Sequence, residues 1–182
     1  MANQQNGYTT VPHETYDELR TYLLNTGVDV DNSYGNQCWD SCAILWYQYG
    51  LTLLTGNGNA YGCWTLERNH NASPPFEAIE YLTDIKRGDV VVFDATTSYP
   101  TGHIGYADED YTAGATRLAI LGQNQGQGSA HGTPSNIVNM RTTNIIGAFR
   151  NTNWHTTPTP SEEERDRFPW FITANKRRNK LY

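Results

Sequence analysis

Three residues in this sequence are spaced to do thiol chemistry. Cys38 follows the turn-rich stretch 28–37 (VDVDNSYGNQ) and opens the run CWDSCAILWYQY. A thiol at the start of a helix is drawn toward the thiolate, because unpaired N–H groups and the helix dipole favour negative charge. The commoner role of a free cysteine is a small buried hydrophobe, and Cys42, one turn on, and Cys63 fit that role better. A nucleophilic thiol needs a base. His103 lies in TGHIGYA, behind a glycine that permits close approach, and among the 5 histidines it alone sits in strand-like sequence. His13, His70, His131 and His155 lie in polar, turn-rich stretches and read as surface residues. The run LAIL leads into GQNQ, so Asn124 falls about one strand pair after His103. Its amide oxygen could orient the imidazole there; a plain turn residue is the alternative.

A second cluster is acidic. Asp29-x-Asp31-x-Ser33-x-Gly35, followed by Asp40, can aim several oxygens at one point. Calcium takes six to eight oxygens at about 2.3–2.6 Å, mixing carboxylates with carbonyls. Asp29, Asp31 and Asp40 would give carboxylates, and Ser33 and Gly35 a hydroxyl or carbonyls. The pattern is like the first half of an EF-hand loop without its terminal Glu. An Asp/Asn-rich turn that caps its own backbone is the other reading.

Period and punctuation predict the elements that carry these residues. Residues 13–25 space Tyr16, Leu19, Tyr22 and Leu23 at helical intervals, with Gly27 as a stop. A second helix starts near Cys38 and ends at Gly50; it is apolar on most sides and should be buried. Residues 55–62 read as loop. After Pro74 and Pro75, β-like runs follow at 76–79, 90–93, 103–107, 118–121, 137–140 and 145–149, each bounded by Gly, Asp, Asn or Pro. With no helical pattern between them they predict an antiparallel sheet. Helices first and strands after give the α+β class. One domain over 1–150 is expected, then 151–182 as linker and basic tail: 151–160 extended, 161–164 (SEEE) a capping box, and KRRNKLY at the end.

Composition narrows the function. A chain of 182 residues suits one domain that can bury a core without cross-links. Aromatic content of 12% with 18% charged residues argues against disorder. A net charge of −6 argues against gripping nucleic-acid phosphates. No apolar run approaches the ~20 residues of a membrane helix, and the N-terminus lacks the basic and apolar regions of a secretory signal. The odd count of 3 cysteines leaves at least one thiol unpaired or bridged to another chain, and no C-x-x-C spacing suggests zinc. The 12 Tyr and 5 Trp suit a polar surface that meets sugar or peptide.

Four pieces stand in a telling order: N-Q-C-W-D at 36–40, R-G-D-V-V-V-F-D at 87–94, T-G-H-I-G-Y at 101–106 and L-G-Q-N-Q at 121–125. Together they resemble the CHAP domain, the cysteine- and histidine-dependent amidohydrolase/peptidase of phage endolysins, virion-associated lysins and bacterial autolysins. The resemblance implies a papain-like (NlpC-like) α+β fold with N-terminal helices packed on an antiparallel sheet. It implies cleavage of amide bonds in bacterial peptidoglycan, as an N-acetylmuramoyl-L-alanine amidase or an endopeptidase. By position, Cys38 is the nucleophile, His103 the general base and Asn124 the orienting residue. Structural calcium falls on Asp29, Asp31, Ser33, Gly35 and Asp40, as in calcium-binding members. The oxyanion would be held by the Cys38 N–H and the Gln37 side chain. Trp39, Trp64, Tyr106 and Trp154 are candidates for substrate contact, with core packing as the alternative for each.

One departure stands out: many phage members read Glu-Gln-Asn in the last motif, and Gly122 stands here at the Glu position. The implied setting is phage-encoded, in the host cytoplasm before release to the wall or carried in a particle with other virion proteins. Neither nucleic acid nor membrane is an expected partner. Two rivals stand beside this reading. One is a non-catalytic, calcium-stabilised wall-binding or structural module, which Gly122 favours. The other is a transglutaminase or deamidase, which also uses Cys and His.

Overall fold

A computed structural model describes residues 12–24, 26–126 and 133–154, together with the backbone of 3–5 and 8–10. In chain order the elements are β1 (Asn3–Gln5), β2 (Tyr8–Thr10), α1 (Tyr16–Leu23), α2 (Cys38–Gln48), α3 (Gly62–Thr65), α4 (Arg68–Asn71), β3 (Phe76–Ile79), β4 (Val90–Phe93), β5 (His103–Ala107), β6 (Arg117–Gly122), β7 (Asn136–Arg141) and β8 (Ile145–Asn151). β1 and β2 form a separate two-stranded pair, which the sequence reading did not anticipate. The other six strands make one antiparallel sheet in the order β3-β8-β4-β5-β6-β7. Helices then strands is the α+β arrangement expected. Among the described residues no helix is long and apolar enough to cross a membrane.

α2 is the central helix. Every residue from Asp40 to Tyr47 is buried, as an all-round apolar pattern requires. Tyr106 of β5 donates its hydroxyl to Ser41 O at 2.9 Å and ties the helix to the sheet. Trp46 anchors the other end. Its ring stacks on Phe76 at 4.0 Å, meets Phe149 edge-on at 5.7 Å, and its Nε1 donates to Asn71 O at 3.1 Å. Strand alternation divides the sheet's side chains between two cores. Val90, Val92, Ile104 and Tyr106 pack with α2, while Val91, Phe93, Ala107 and Ile120 form a second cluster. All four residues of β4 are buried, so that strand is covered on both faces.

Two expectations change. His13 is buried: its ring lies 5.1 Å from that of Tyr22, and the Gln48 amide bonds both its N–H and its carbonyl at 2.9 Å. Its polar sequence neighbours concealed a partner 35 residues away. Residues 151–154, expected to open a linker, belong to the domain instead. β8 runs through Asn151, and the short turn Thr152–Trp154 docks back, with the Thr152 N–H on Pro75 O at 2.9 Å and Trp154 Nε1 on His13 O at 3.3 Å. Of the two readings held for Trp64, substrate contact and core packing, the structure bears out packing, in the niche over Gly147 and against Phe149 at 5.4 Å. His131, His155, the 161–164 capping box and the basic tail lie outside the described residues.

Candidate active site

Cys38 is the first residue of α2, and local chemistry builds that helix start. The Asp40 carboxylate reaches back to the Gln37 N–H at 2.7 Å and to the Val30 N–H at 3.0 Å. One side chain thus closes the first turn and holds the preceding loop against it. Gln123, which the sequence reading passed over, adds a second stitch. Its Nε2 donates to Val28 O at 2.9 Å and to Gln37 O at 2.8 Å, binding the loop after β6 to the residue before the cysteine.

The half-buried Cys38 lines a groove of about 570 Å³ with Asp31, Tyr34, Gln37, Trp39, Leu54 and Thr101. The backbone N–H of Ile104, the residue after His103, lies close enough to bias the thiol toward the thiolate. Burial pushes the thiol up to about 11; the N–H groups of Ile104, Trp39 and Cys38 itself oppose that rise, and the Asp40 carboxylate adds to it. The helix start was expected to favour the thiolate. At rest desolvation outweighs it. Cys42 and Cys63 are fully buried, as expected of small hydrophobes.

His103 opens β5, 1% exposed. Gly102 before it has φ 72°, and a Cβ there would meet Phe93 O at 2.6 Å and Tyr61 N at 2.9 Å. Only glycine lets the chain pass so close. The imidazole rests against the rings of Tyr99 at 5.2 Å and Phe93 at 6.0 Å. Its Nε2 is bonded to Gln125 Oε1 at 2.9 Å. The sequence placed this bond on Asn124. The structure gives it to the next residue, with Asn124 turning the chain at φ 55°. The pairing of a side-chain-free Gly122 with a polar residue three positions on was the signal available.

Burial pulls the His103 imidazole down to about 4, against a smaller upward pull from Gln125. The ring is therefore neutral at neutral pH in the fold and charges readily only when unfolded. Its stability contribution is complete above the ordinary value of about 6.5 and is lost as pH falls from there through 4. We expect a loss on the order of 3 kcal/mol over that range. Urea unfolding at several pH values, compared with His103→Asn, checks it: the variant should lack this component, and equal pH slopes would refute it.

Gln37, the expected oxyanion donor, lies in the groove beside Cys38, with Nε2 donating to Tyr34 O at 2.8 Å. Trp39 also lines the groove, its Nε1 on Leu53 O at 3.0 Å. Tyr106 is wholly buried and bonded to α2, and Trp154 packs on Tyr16 at 6.0 Å, so neither faces the groove wall described here. Tyr34, overlooked in the sequence, is 84% exposed at the groove.

The acidic turn abuts the same groove. Carboxylate oxygens of Asp29, Asp31 and Asp40 all lie within 4.8 Å of one another. Asp29 Oδ1 is buried and has no hydrogen-bond partner. Burial pushes the Asp40 carboxyl up to about 7; the Gln37 and Val30 N–H groups oppose this, and Asp31 and Asp29 add to it. Ser33 belongs to the same turn, its N–H on Asp31 Oδ1 at 2.8 Å, and Gly35 turns the chain at φ 70°. Three crowded carboxylates and an orphaned buried oxygen fit a hard cation held by oxygen ligands.

Comparison with known proteins bears on the family and the fold. The D-alanyl-L-alanine endopeptidase of Streptococcus phage B30 is 32% identical over 117 residues, which is 62% of this chain and 25% of the relative. This chain thus spans about a quarter of that protein. The crystal structure of the wild-type endolysin LysIME-EF1 superposes with a TM-score of 0.57 at 25% identity, covering 75% of this chain and 63% of the endolysin. The crystal structure of Ly7917 gives a TM-score of 0.49 at 18% identity, over 73% of this chain and 60% of the other. The CHAP domain profile matches residues 27–124, from the acidic turn through the strand loop beside His103. By that match, over more than half its length, the chain belongs to the CHAP domain family and has its papain-like fold.

Proposed function

We propose that this chain is a thiol-dependent peptidoglycan hydrolase of phage origin, cutting amide bonds of the bacterial wall. One observation carries the reading. A cysteine at a helix start lines a groove, the N–H of the residue after a buried, neutral histidine biases its thiol, and that histidine's Nε2 is already engaged. In the first step Cys38 Sγ bonds to the substrate carbonyl carbon while its proton passes to His103. The Cys38 N–H, with Gln37 beside it, faces the oxyanion. The C–N bond then breaks, and His103 returns the proton to the leaving amine. Water hydrolyses the thioester, releasing the acid and restoring the thiol. The name of the phage B30 relative favours an endopeptidase over an amidase.

Asp29, Asp31 and Asp40 would hold calcium, with Ser33 and Gly35 in the same turn. When bound, the ion supplies charge neutralisation that fixes the turn leading into Cys38. It takes no part in bond cleavage.

Mass spectrometry of Gram-positive peptidoglycan digested with the protein in calcium tests the reading. Shortened or uncrosslinked peptides are expected. Free, intact stem peptides would instead indicate an amidase, and no new fragments from several wall types would overturn the hydrolase.

A further inference from the structure

Gln125 sits 1% exposed beneath the histidine, and its amide cannot turn over. Its Nε2 donates to Ile120 O at 2.8 Å and to Asn136 O at 2.7 Å, which uses both amide hydrogens. Its Oε1 is left facing His103 Nε2 at 2.9 Å. An amide oxygen only accepts, so the proton of that bond belongs to the imidazole. Gly122 makes room for the arrangement: a Cβ there would lie 3.2 Å from Gln125 Oε1 and 3.5 Å from its Cδ. A side chain at 122 and the Gln125 amide compete for one space.

We propose that Gln125, lodged in the room left by Gly122, is the positioning residue that holds His103 as the Nε2–H tautomer and leaves its Nδ1 lone pair as the base. The catalytic consequence rests on the hydrolase reading; the tautomer assignment does not. Gly122 is then no mark of decay toward a binding role. The orienting group has moved three residues along the chain and reaches back over the glycine. Because that group is a neutral amide, it fixes the ring's direction without supplying a counter-charge.

The test is a ¹H–¹⁵N spectrum of the imidazoles in the full chain at pH 7, with His103 assigned by loss of its signals in His103→Gln. A single Nε2–H tautomer is expected. The Nδ1–H form, or a mixture, in the unmutated protein would overturn the proposal. Gln125→Met keeps the volume but removes the acceptor. It should give mixed tautomers and lower kcat on peptidoglycan about 100-fold with KM little changed. Gln125→Met with a pure tautomer and full kcat would also overturn it. Should that variant not fold, Gly122→Ala serves: the added methyl should displace the amide and broaden the tautomer distribution, and an unchanged spectrum counts against the proposal. A pure Nε2–H tautomer in a protein that releases no wall fragments would sink the hydrolase reading and leave this assignment standing.

Discussion

Cys38→Ala should abolish release of peptidoglycan fragments, by about 10³-fold or more, while leaving the fold and its calcium response intact. The size follows from the role. Without the thiol no thioester forms, and what remains is binding and oxyanion stabilisation. The fold should tolerate the change because Cys38 is half-buried at a groove edge, so the lost contacts are worth about 1 kcal/mol at most. Cys42→Ala and Cys63→Ala supply the contrast. Both thiols are fully buried, so these changes should cost stability, about 1 kcal/mol each, and keep turnover. Zymography and thermal melts of the three variants separate the roles. A Cys38→Ala protein that still clears cell walls would show that the chain acts by binding. Ammonia released from a protein glutamine, with walls untouched, would point to deamidase or transglutaminase chemistry.

The second large effect is expected at the acidic turn. Asp40→Ala should destabilise the protein by about 3–5 kcal/mol, because two inward N–H groups, of Val30 and Gln37, lose their acceptor at once. That is a large share of a stability of roughly 5–15 kcal/mol. Asp29→Asn separates the metal's part from the hydrogen bonds. With calcium chelated it should equal or exceed the unmutated protein in Tm, since one of three crowded charges is gone. With calcium the order should reverse. The unmutated protein gains about 2.7 kcal/mol at a free-ion concentration 100-fold above Kd, and the variant gains much less. Calorimetry with calcium and with chelator reads both signs. A Tm that ignores calcium in the unmutated protein removes the ion from the account.

A fold that binds the turn before Cys38 this way also explains the resting state of the thiol. Asp40 and Gln123 fix the helix start on which Cys38 stands, with the thiol largely withdrawn from water. Desolvation raises the thiol and lowers the imidazole, so both rest uncharged at neutral pH. Such a pair is protected from indiscriminate oxidation, because reactivity follows thiolate character.

The sequence by itself determined the parts whose cause is local. The all-round apolar run after Cys38 specified a buried helix, and short apolar runs between Gly, Asp and Asn specified the six strands of the sheet, nearly to the residue. The acidic turn was legible because its three carboxylates lie within twelve residues of chain, and the cysteine and histidine because their flanking motifs are contiguous. Tertiary structure decided whatever depends on a distant neighbour or on exclusion of water. It assigned the imidazole's bond to Gln125 over Asn124, because the carbonyls of Ile120 and Asn136 fix that amide and Gly122 leaves it space. It buried His13 against Gln48 and docked residues 152–154 on the domain, through contacts with no local signature. It also set the direction of the Cys38 shift, since the helix N-terminus visible in sequence favours the thiolate and the surrounding core, visible only in three dimensions, opposes it more strongly.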